Sequence, residues 1–280
     1  MLDIKMLKEK PEDLKNYYKI QDEYELEGKF DVDIDPIDYS GALPVDENFD
    51  FIKKGFKNWI KKQFYLCGLR IYTNKICKML KLEIVGKENL KKVKGGAIVT
   101  CNHISKYDSF PVRKALGADI YYVAADFNNW KGKMGDIARN TGYLPLSNKV
   151  SVMRKFTEAI DYHLKRGKKV LIYPEQAMWR DYKKVRPFKN GAFHYAVKNN
   201  VPVLPLFITL RPSGIIEDGV EFNYFTLHIL SPIYPKAELN AKENLEFMRK
   251  LTYNECKKCY EETYNEELKY TTLDPKKIKI

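Results

Sequence analysis

Short apolar runs alternate along this chain with longer stretches whose apolar positions recur every three or four residues. The short runs predict strands at 82–86, 97–101, 120–125, 169–173, 203–209 and 222–230. Val152, Phe156, Ala159, Ile160 and His163 fall on one helical face in a stretch ending near Gly167, and Leu245, Met248 and Leu251 do the same in a helix predicted over 241–267. A further short helix is predicted over 13–27. Strands alternating with amphipathic helices predict an α/β fold, a single domain with a mostly parallel sheet flanked by helices. At 280 residues the chain can bury one sizeable core of that kind.

The stretch before the first strand has a different pattern. Ile52, Phe56, Trp59, Ile60, Leu66 and Cys67 gather on one face and Lys53, Lys54, Lys57 and Lys61 on the other. A second apolar face follows with Leu69, Tyr72, Ile76, Met79 and Leu80, flanked by Arg70, Lys75, Lys78 and Lys81. The change of face predicts an amphipathic helical hairpin over 49–82 lying at a membrane surface, because apolar residues backed by lysines suit the headgroup layer. An ordinary helix pair packed on the sheet, with a lysine-rich outer face, is the alternative.

Charge sharpens this division. Residues 1–48 hold fourteen acidic residues against six lysines, whereas 49–94 hold thirteen basic against three acidic, within a chain of net charge +12. The expected organisation is an acidic extension (1–48), the basic hairpin (49–82), a core (83–235), and a C-terminal helix and basic tail (236–280) whose Lys276 and Lys277 are expected to be mobile. The acidic extension is a candidate to pair with the basic hairpin. No apolar run approaches the roughly 20 residues that span a bilayer. Residues 1–6 lead into charged sequence without the apolar centre of a signal peptide. A peripheral, monotopic position on the cytoplasmic face of a membrane is therefore expected.

Candidate chemistry begins where the run 97–101 ends. Asn102-His103 is followed by Asp108, in a strand-to-helix loop of the kind where open α/β sheets place their sites. A carboxylate on one imidazole nitrogen fixes the tautomer and stabilises the imidazolium, so His103 would be the base and Asp108 its orienter. The other reading is a histidine that caps the following helix. Further along, the strand at 169–173 runs into Pro174-Glu175, and Pro187-Phe188-Lys189-Asn190-Gly191-Ala192 and Val201-Pro202-Val203-Leu204-Pro205-Leu206 follow.

Taken in order, these blocks resemble the lysophospholipid and glycerol-phosphate acyltransferase family over about residues 83–235. NHxxxxD is Asn102 to Asp108, GxIxIxR is approximated by Gly142 to Asn148, FPEGTR appears as YPEQAMWR from Tyr173 to Arg180, and VPVxPV as Val201 to Leu206. The resemblance implies direct acyl transfer from acyl-CoA or acyl carrier protein to the hydroxyl of a lysophospholipid, foremost lysophosphatidic acid, with no cofactor and no metal. It implies His103 and Asp108 as catalytic residues, and Asn102, Gly142, Pro174, Glu175, Arg180 and Lys189 as substrate-binding residues. Glu175 is expected to organise the acceptor site, and backbone amides near Gly142 or after Pro174 are candidate oxyanion donors. Arg180, Arg186 and Lys189 are the cations placed to meet a phosphate; Arg186 is equally readable as solvated surface charge.

The chain departs from the pattern at Gln176-Ala177-Met178, where the family has Gly-Thr-Arg, and at Ser147-Asn148-Lys149, where an arginine is missing. An acceptor other than lysophosphatidic acid (glycerol 3-phosphate, another lysophospholipid, a lipid-linked hydroxyl) is the alternative within the class, and a catalytically silent membrane-surface protein the alternative outside it. A nucleic-acid partner is not expected, since the basic charge tracks amphipathic helices and no nucleic-acid module motif occurs. Cys101 reads as a small buried hydrophobe, and the Cys256–Cys259 pair lacks a second ligand pair for zinc. His163, His194 and His228 read as structural, His194 by core packing.

Overall fold

Burial on both faces selects the central strand. In a computed structural model describing residues 10–272, 274, 276 and 278, Ala97-Ile98-Val99-Thr100 is completely enclosed. The described elements run α1 (Pro11–Glu27), α2 (Phe56–Met79), β1 (Glu83–Val85), β2 (Ala97–Thr100), α3 (Ser109–Leu116), β3 (Tyr121–Ala125), α4 (Gly132–Asn140), β4 (Tyr143–Leu146), α5 (Val150–Lys165), β5 (Lys169–Ile172), α6 (Gly191–Lys198), β6 (Val203–Glu217), β7 (Val220–Ile229) and α7 (Ala241–Tyr264). The seven strands form one sheet in the order β1-β7-β6-β2-β5-β3-β4, parallel throughout except for the β6–β7 pair.

Alternation along β2 divides the core. Ile98 joins a cluster with Val170, Val203, Phe207 and residues of α5, α6 and α7, whereas Val99 joins Leu171, Leu204, Leu206 and residues of α2 and α3 on the other face. Phe156, Phe193 and Met248 are almost wholly enclosed on the first face, and each contributes about 1.5–3 kcal/mol by leaving water. The α/β architecture with helices on both faces is thus as the sequence pattern predicts.

Three elements differ from expectation. Tyr143–Leu146, outside every predicted strand, is the edge strand β4 paired to β3 alone; an edge tolerates the missing amide of Pro145. Strand β6 continues past residue 209 to Glu217 and returns as β7 through Asp218-Gly219, whose φ values of 46° and 77° suit a tight two-residue hairpin turn. The predicted hairpin over 49–82 is a single helix, α2, of 24 residues. Leu66, Leu69, Ile76, Cys77 and Met79 form its buried stripe, while Ile60, Phe64 and Ile71 lie on the opposite side and Phe56 and Trp59 stand exposed in its first turn, with Phe56, Phe64 and Ile71 about 70 % exposed (73, 76 and 69 %). Two apolar stripes on one helix look, in sequence, like two helices.

The acidic extension also packs differently from expectation. Helix α1 ends at Gly28, in the left-handed conformation (φ 69°), and the chain then passes over the loop following β5. Phe30 is buried against Trp179, Ala177 and Tyr182. Among the described residues, Glu25, Asp31 and Asp35 pair with Lys184, Lys189 and Arg180 of that loop, not with the basic face of α2. Residues 1–6 and Lys277 lie outside the described residues. No described helix is long and apolar enough to cross a membrane.

Candidate active site

The parallel strands β2 and β5 end side by side, with Thr100 in register with Ile172, and the segments leaving them carry the candidate chemistry. Asn102 fixes the exit of β2: its Nδ2 donates to Ile208 O (2.9 Å) and its Oδ1 accepts from Ile208 N (2.7 Å). Both ends of this buried amide are thereby committed to β6, so Asn102 clamps the loop and does not face substrate.

His103 follows. Its Nδ1 lies 2.9 Å from Asp108 Oδ2, and that same oxygen accepts from Ile104 N (2.8 Å) and Ser105 N (2.9 Å). An oxygen receiving two amide protons is an acceptor, so Nδ1 carries the hydrogen of this contact and Nε2 keeps a lone pair. Asp108 is completely buried while the His103 side chain is 22 % exposed. Burial raises the Asp108 carboxyl, and its bonds with His103 and the Ser105 and Ile104 amides oppose that shift. The imidazole stacks on the Tyr173 ring, centroids 4.0 Å apart and planes at 12°. Asp108 precedes α3 without bonding its first amides, so the pair is a histidine–aspartate dyad and not a helix cap.

Glu175, expected to organise the acceptor site, is fully buried beside the dyad with both carboxylate oxygens engaged by the protein. Its Oε2 accepts from His103 N (3.0 Å) and Arg186 Nη2 (2.8 Å), and its Oε1 from Arg186 N (2.9 Å). Arg186, read as a phosphate contact or surface charge, is fully buried; it also donates to the carbonyls of Phe30, His103 and Ala177. Glu175 and Arg186 together hold the backbone of His103 from both sides. Pro174 is buried, and its carbonyl accepts from Lys189 N (2.8 Å).

The remaining expected binding residues are distributed unevenly. Arg180 pairs with Asp35 and lies over the Tyr17 ring (4.6 Å), and Lys189 pairs with Asp31. Gly142 opens β4 at the sheet edge, three strands from β2 and before the strand whose far end faces the site. Its φ of 100° and the Ile120 carbonyl 2.3 Å from where a Cβ would stand explain the glycine structurally. Two of the amides after Pro174, candidates for oxyanion donors, are also committed: Gln176 N donates to Tyr173 O and Ala177 N to Glu175 O. His194 is exposed on α6 and not in the core. His163 is buried, stacked on Tyr121, and its pKa is lowered to about 4 by burial; His228 bonds Thr209 in the sheet. Burial raises the thiols of Cys101, Cys256 and Cys259, which makes them poor nucleophiles.

The sequence reading missed Tyr173 as the stacking partner of the imidazole, Arg186 as the counter-ion beneath it, and Asp31 and Asp35 as partners of the loop cations. Only Arg186 carried a signal, an arginine abutting the PFKxGA block.

A buried carboxylate hydrogen-bonded to a partly exposed imidazole, at the carboxyl ends of parallel strands, gives an α/β sheet a histidine–aspartate dyad able to take a proton. Residues 81–209 of the chain match the family described as Acyltransferase. It is 25 % identical over 141 residues to the 1-acyl-sn-glycerol-3-phosphate acyltransferase of Escherichia coli, covering 50 % of this chain and 57 % of that protein. It is 28 % identical over 206 residues to the chloroplastic 1-acyl-sn-glycerol-3-phosphate acyltransferase BAT2 of Brassica napus, covering 70 % and 56 %. The chain thus spans little more than half the length of these curated relatives. In fold it is similar to the 1-acyl-sn-glycerophosphate (LPA) acyltransferase PlsC of Thermotoga maritima, with a TM-score of 0.54 and 20 % identity over 90 % of this chain and 95 % of that one.

Proposed function

We propose that this protein transfers a fatty acyl group from an acyl thioester, carried by coenzyme A or acyl carrier protein, to the free hydroxyl of lysophosphatidic acid, giving phosphatidic acid. The observation that carries this reading is the 2.9 Å contact of His103 Nδ1 with a buried carboxylate oxygen already engaged by two amides. It directs the basic lone pair of Nε2 outward. In the reaction, Nε2 takes the proton of the acceptor hydroxyl as its oxygen bonds the thioester carbonyl carbon. Collapse of the tetrahedral adduct breaks the carbon–sulfur bond, and the departing thiolate takes the proton back from the imidazolium. Asp108 stabilises the imidazolium between these steps, and Glu175 and Arg186 hold the loop so that the ring does not drift.

The choice of acceptor is supported by the relatives, which are named for 1-acyl-sn-glycerol-3-phosphate acylation. The exposed apolar side of α2, bordered by Lys57, Lys75 and Lys78, supports peripheral attachment at the cytoplasmic face of a membrane. Tyr72 of α2 packs edge-on against Phe110 of α3 (5.3 Å), so this helix flanks the loop that carries the dyad. Acylation of a different lysolipid is the second reading, favoured by Met178 standing where the family has its arginine. Purified protein given long-chain acyl-CoA and a panel of phosphorylated and unphosphorylated acceptors, with lipid products read by mass spectrometry, tests both. Phosphatidic acid as the main product is expected; acylation of unphosphorylated acceptors alone would overturn the assignment.

A further inference from the structure

Three cations of the loop after β5, Arg180, Lys184 and Lys189, are held by carboxylates from outside the matched region. Arg180 follows Trp179, whose backbone amide donates to His103 O (2.9 Å), so it belongs to the same loop assembly as the catalytic ring. Its guanidinium is paired with Asp35, and Lys189 with Asp31, both from the acidic segment after α1.

That segment is fastened at several points. Trp179 Nε1 donates to Val32 O (3.0 Å), Arg186 Nη1 to Phe30 O (3.0 Å), Tyr17 Oη to Met178 O (2.9 Å), and Gln21 Nε2 to Arg180 O (3.0 Å). Asp35 also lies within electrostatic reach of Lys106, inside the NHxxxxD block; burial and Asp33 raise the Asp35 carboxyl, and Lys106 opposes them. Anionic groups are therefore delivered to three cations of the loops that surround His103.

We propose that Asp31 and Asp35 are specificity-determining residues which compete with the acceptor's phosphate for Lys189 and Arg180. This rests on the reading above, in which the acceptor carries a phosphomonoester. Burial of Trp179 and Phe30 fixes the backbone of the segment, whereas the carboxylates remain partly open, with side-chain exposures of 43 % for Asp31 and 35 % for Asp35. Carboxylates in that position can be displaced by a dianion without unseating the backbone beneath them. They lower affinity for every phosphorylated acceptor and leave a neutral one untouched. A pair of this exposure weakens its competitor by a factor of about 2–5, so the two together set a handicap of roughly tenfold.

Asp31→Asn, Asp35→Asn and the double variant test this by steady-state kinetics with lysophosphatidic acid and with a neutral monoacylglycerol. The KM for lysophosphatidic acid is expected to fall about 2–5-fold in each single variant and about tenfold in the double, with the KM for acyl-CoA and monoacylglycerol changed less than twofold. Asp35→Glu should restore the wild-type value. Calorimetric titration with sn-glycerol 3-phosphate reads the same competition without turnover, and the double variant should bind about tenfold tighter. Unchanged or weaker binding of glycerol 3-phosphate, or equal KM changes for both acceptors, would overturn the inference. Tighter binding without turnover on any acceptor would instead count against the proposed reaction and leave the competition standing.

Discussion

Replacing Glu175 by glutamine tests how the dyad is held. The carboxylate receives three N–H groups, from His103 N, Arg186 N and Arg186 Nη2, all within 3.0 Å. Glutamine keeps the shape, but its amide nitrogen must face either Arg186 N or the pair formed by His103 N and Arg186 Nη2. At least one buried donor then opposes another donor, and the fully buried Arg186 loses its counter-charge. Removing one partner of such a pair costs about 3–5 kcal/mol, a large part of the roughly 5–15 kcal/mol that stabilises a domain. Arg186→Met should cost a similar amount by stranding Glu175. The double variant should cost less than the sum, with a coupling of about 2 kcal/mol or more. Urea unfolding of the four proteins at one pH measures the cycle. Because the same carboxylate fixes the His103 amide, kcat per folded molecule should also fall, by about 10²-fold if the ring moves by an ångström. Single variants within about 1 kcal/mol of wild type, with undiminished kcat, would refute the reasoning.

Other outcomes follow from separate parts of the molecule. His163 has a pKa lowered from 6.5 to about 4 by burial, so the unfolded chain binds the extra proton between those values, and stability present above pH 6.5 is lost as pH falls toward 4. About 2 kcal/mol should disappear from this group between pH 7.5 and 5, and urea unfolding of His163→Phe should show that much less acid sensitivity. Gly142→Ala places a Cβ 2.3 Å from Ile120 O at a φ of 100° and should destabilise by about 1–3 kcal/mol, read as a lowered urea midpoint with little change in KM. Substituting Phe56, Trp59 and Phe64, all exposed on α2, by serine should abolish co-sedimentation with anionic vesicles while thermal unfolding stays within a few degrees; retained binding would remove α2 as the attachment face.

What was legible in the sequence follows from how local each feature is. The dyad could be read because His103 and Asp108 are five residues apart in one loop, and the strands because β2, β3 and β5 are short apolar runs with turn residues around them. Glu175 was found, yet its role was not, since its partners Arg186 and His103 N are 11 and 72 positions away. Strand β4 was hidden by Pro145, which signals a turn unless the strand is known to be an edge. The single helix α2 was hidden by carrying apolar residues on opposite sides, one stripe for the core and one exposed. The ion pairs of Asp31 and Asp35 join positions about 150 apart, and charge composition says only that opposite charges are present, not which ones meet.

The central claim is that His103, oriented by Asp108, removes the proton from an acceptor hydroxyl during acyl transfer. The most direct measurement is the initial rate of phosphatidic acid formation from lysophosphatidic acid and oleoyl-CoA, followed by mass spectrometry for wild type and His103→Ala, with folding checked by circular dichroism. The account predicts product with wild type and a fall of about 10²–10⁴-fold in a folded His103→Ala protein. Product formation at the wild-type rate by His103→Ala would contradict it.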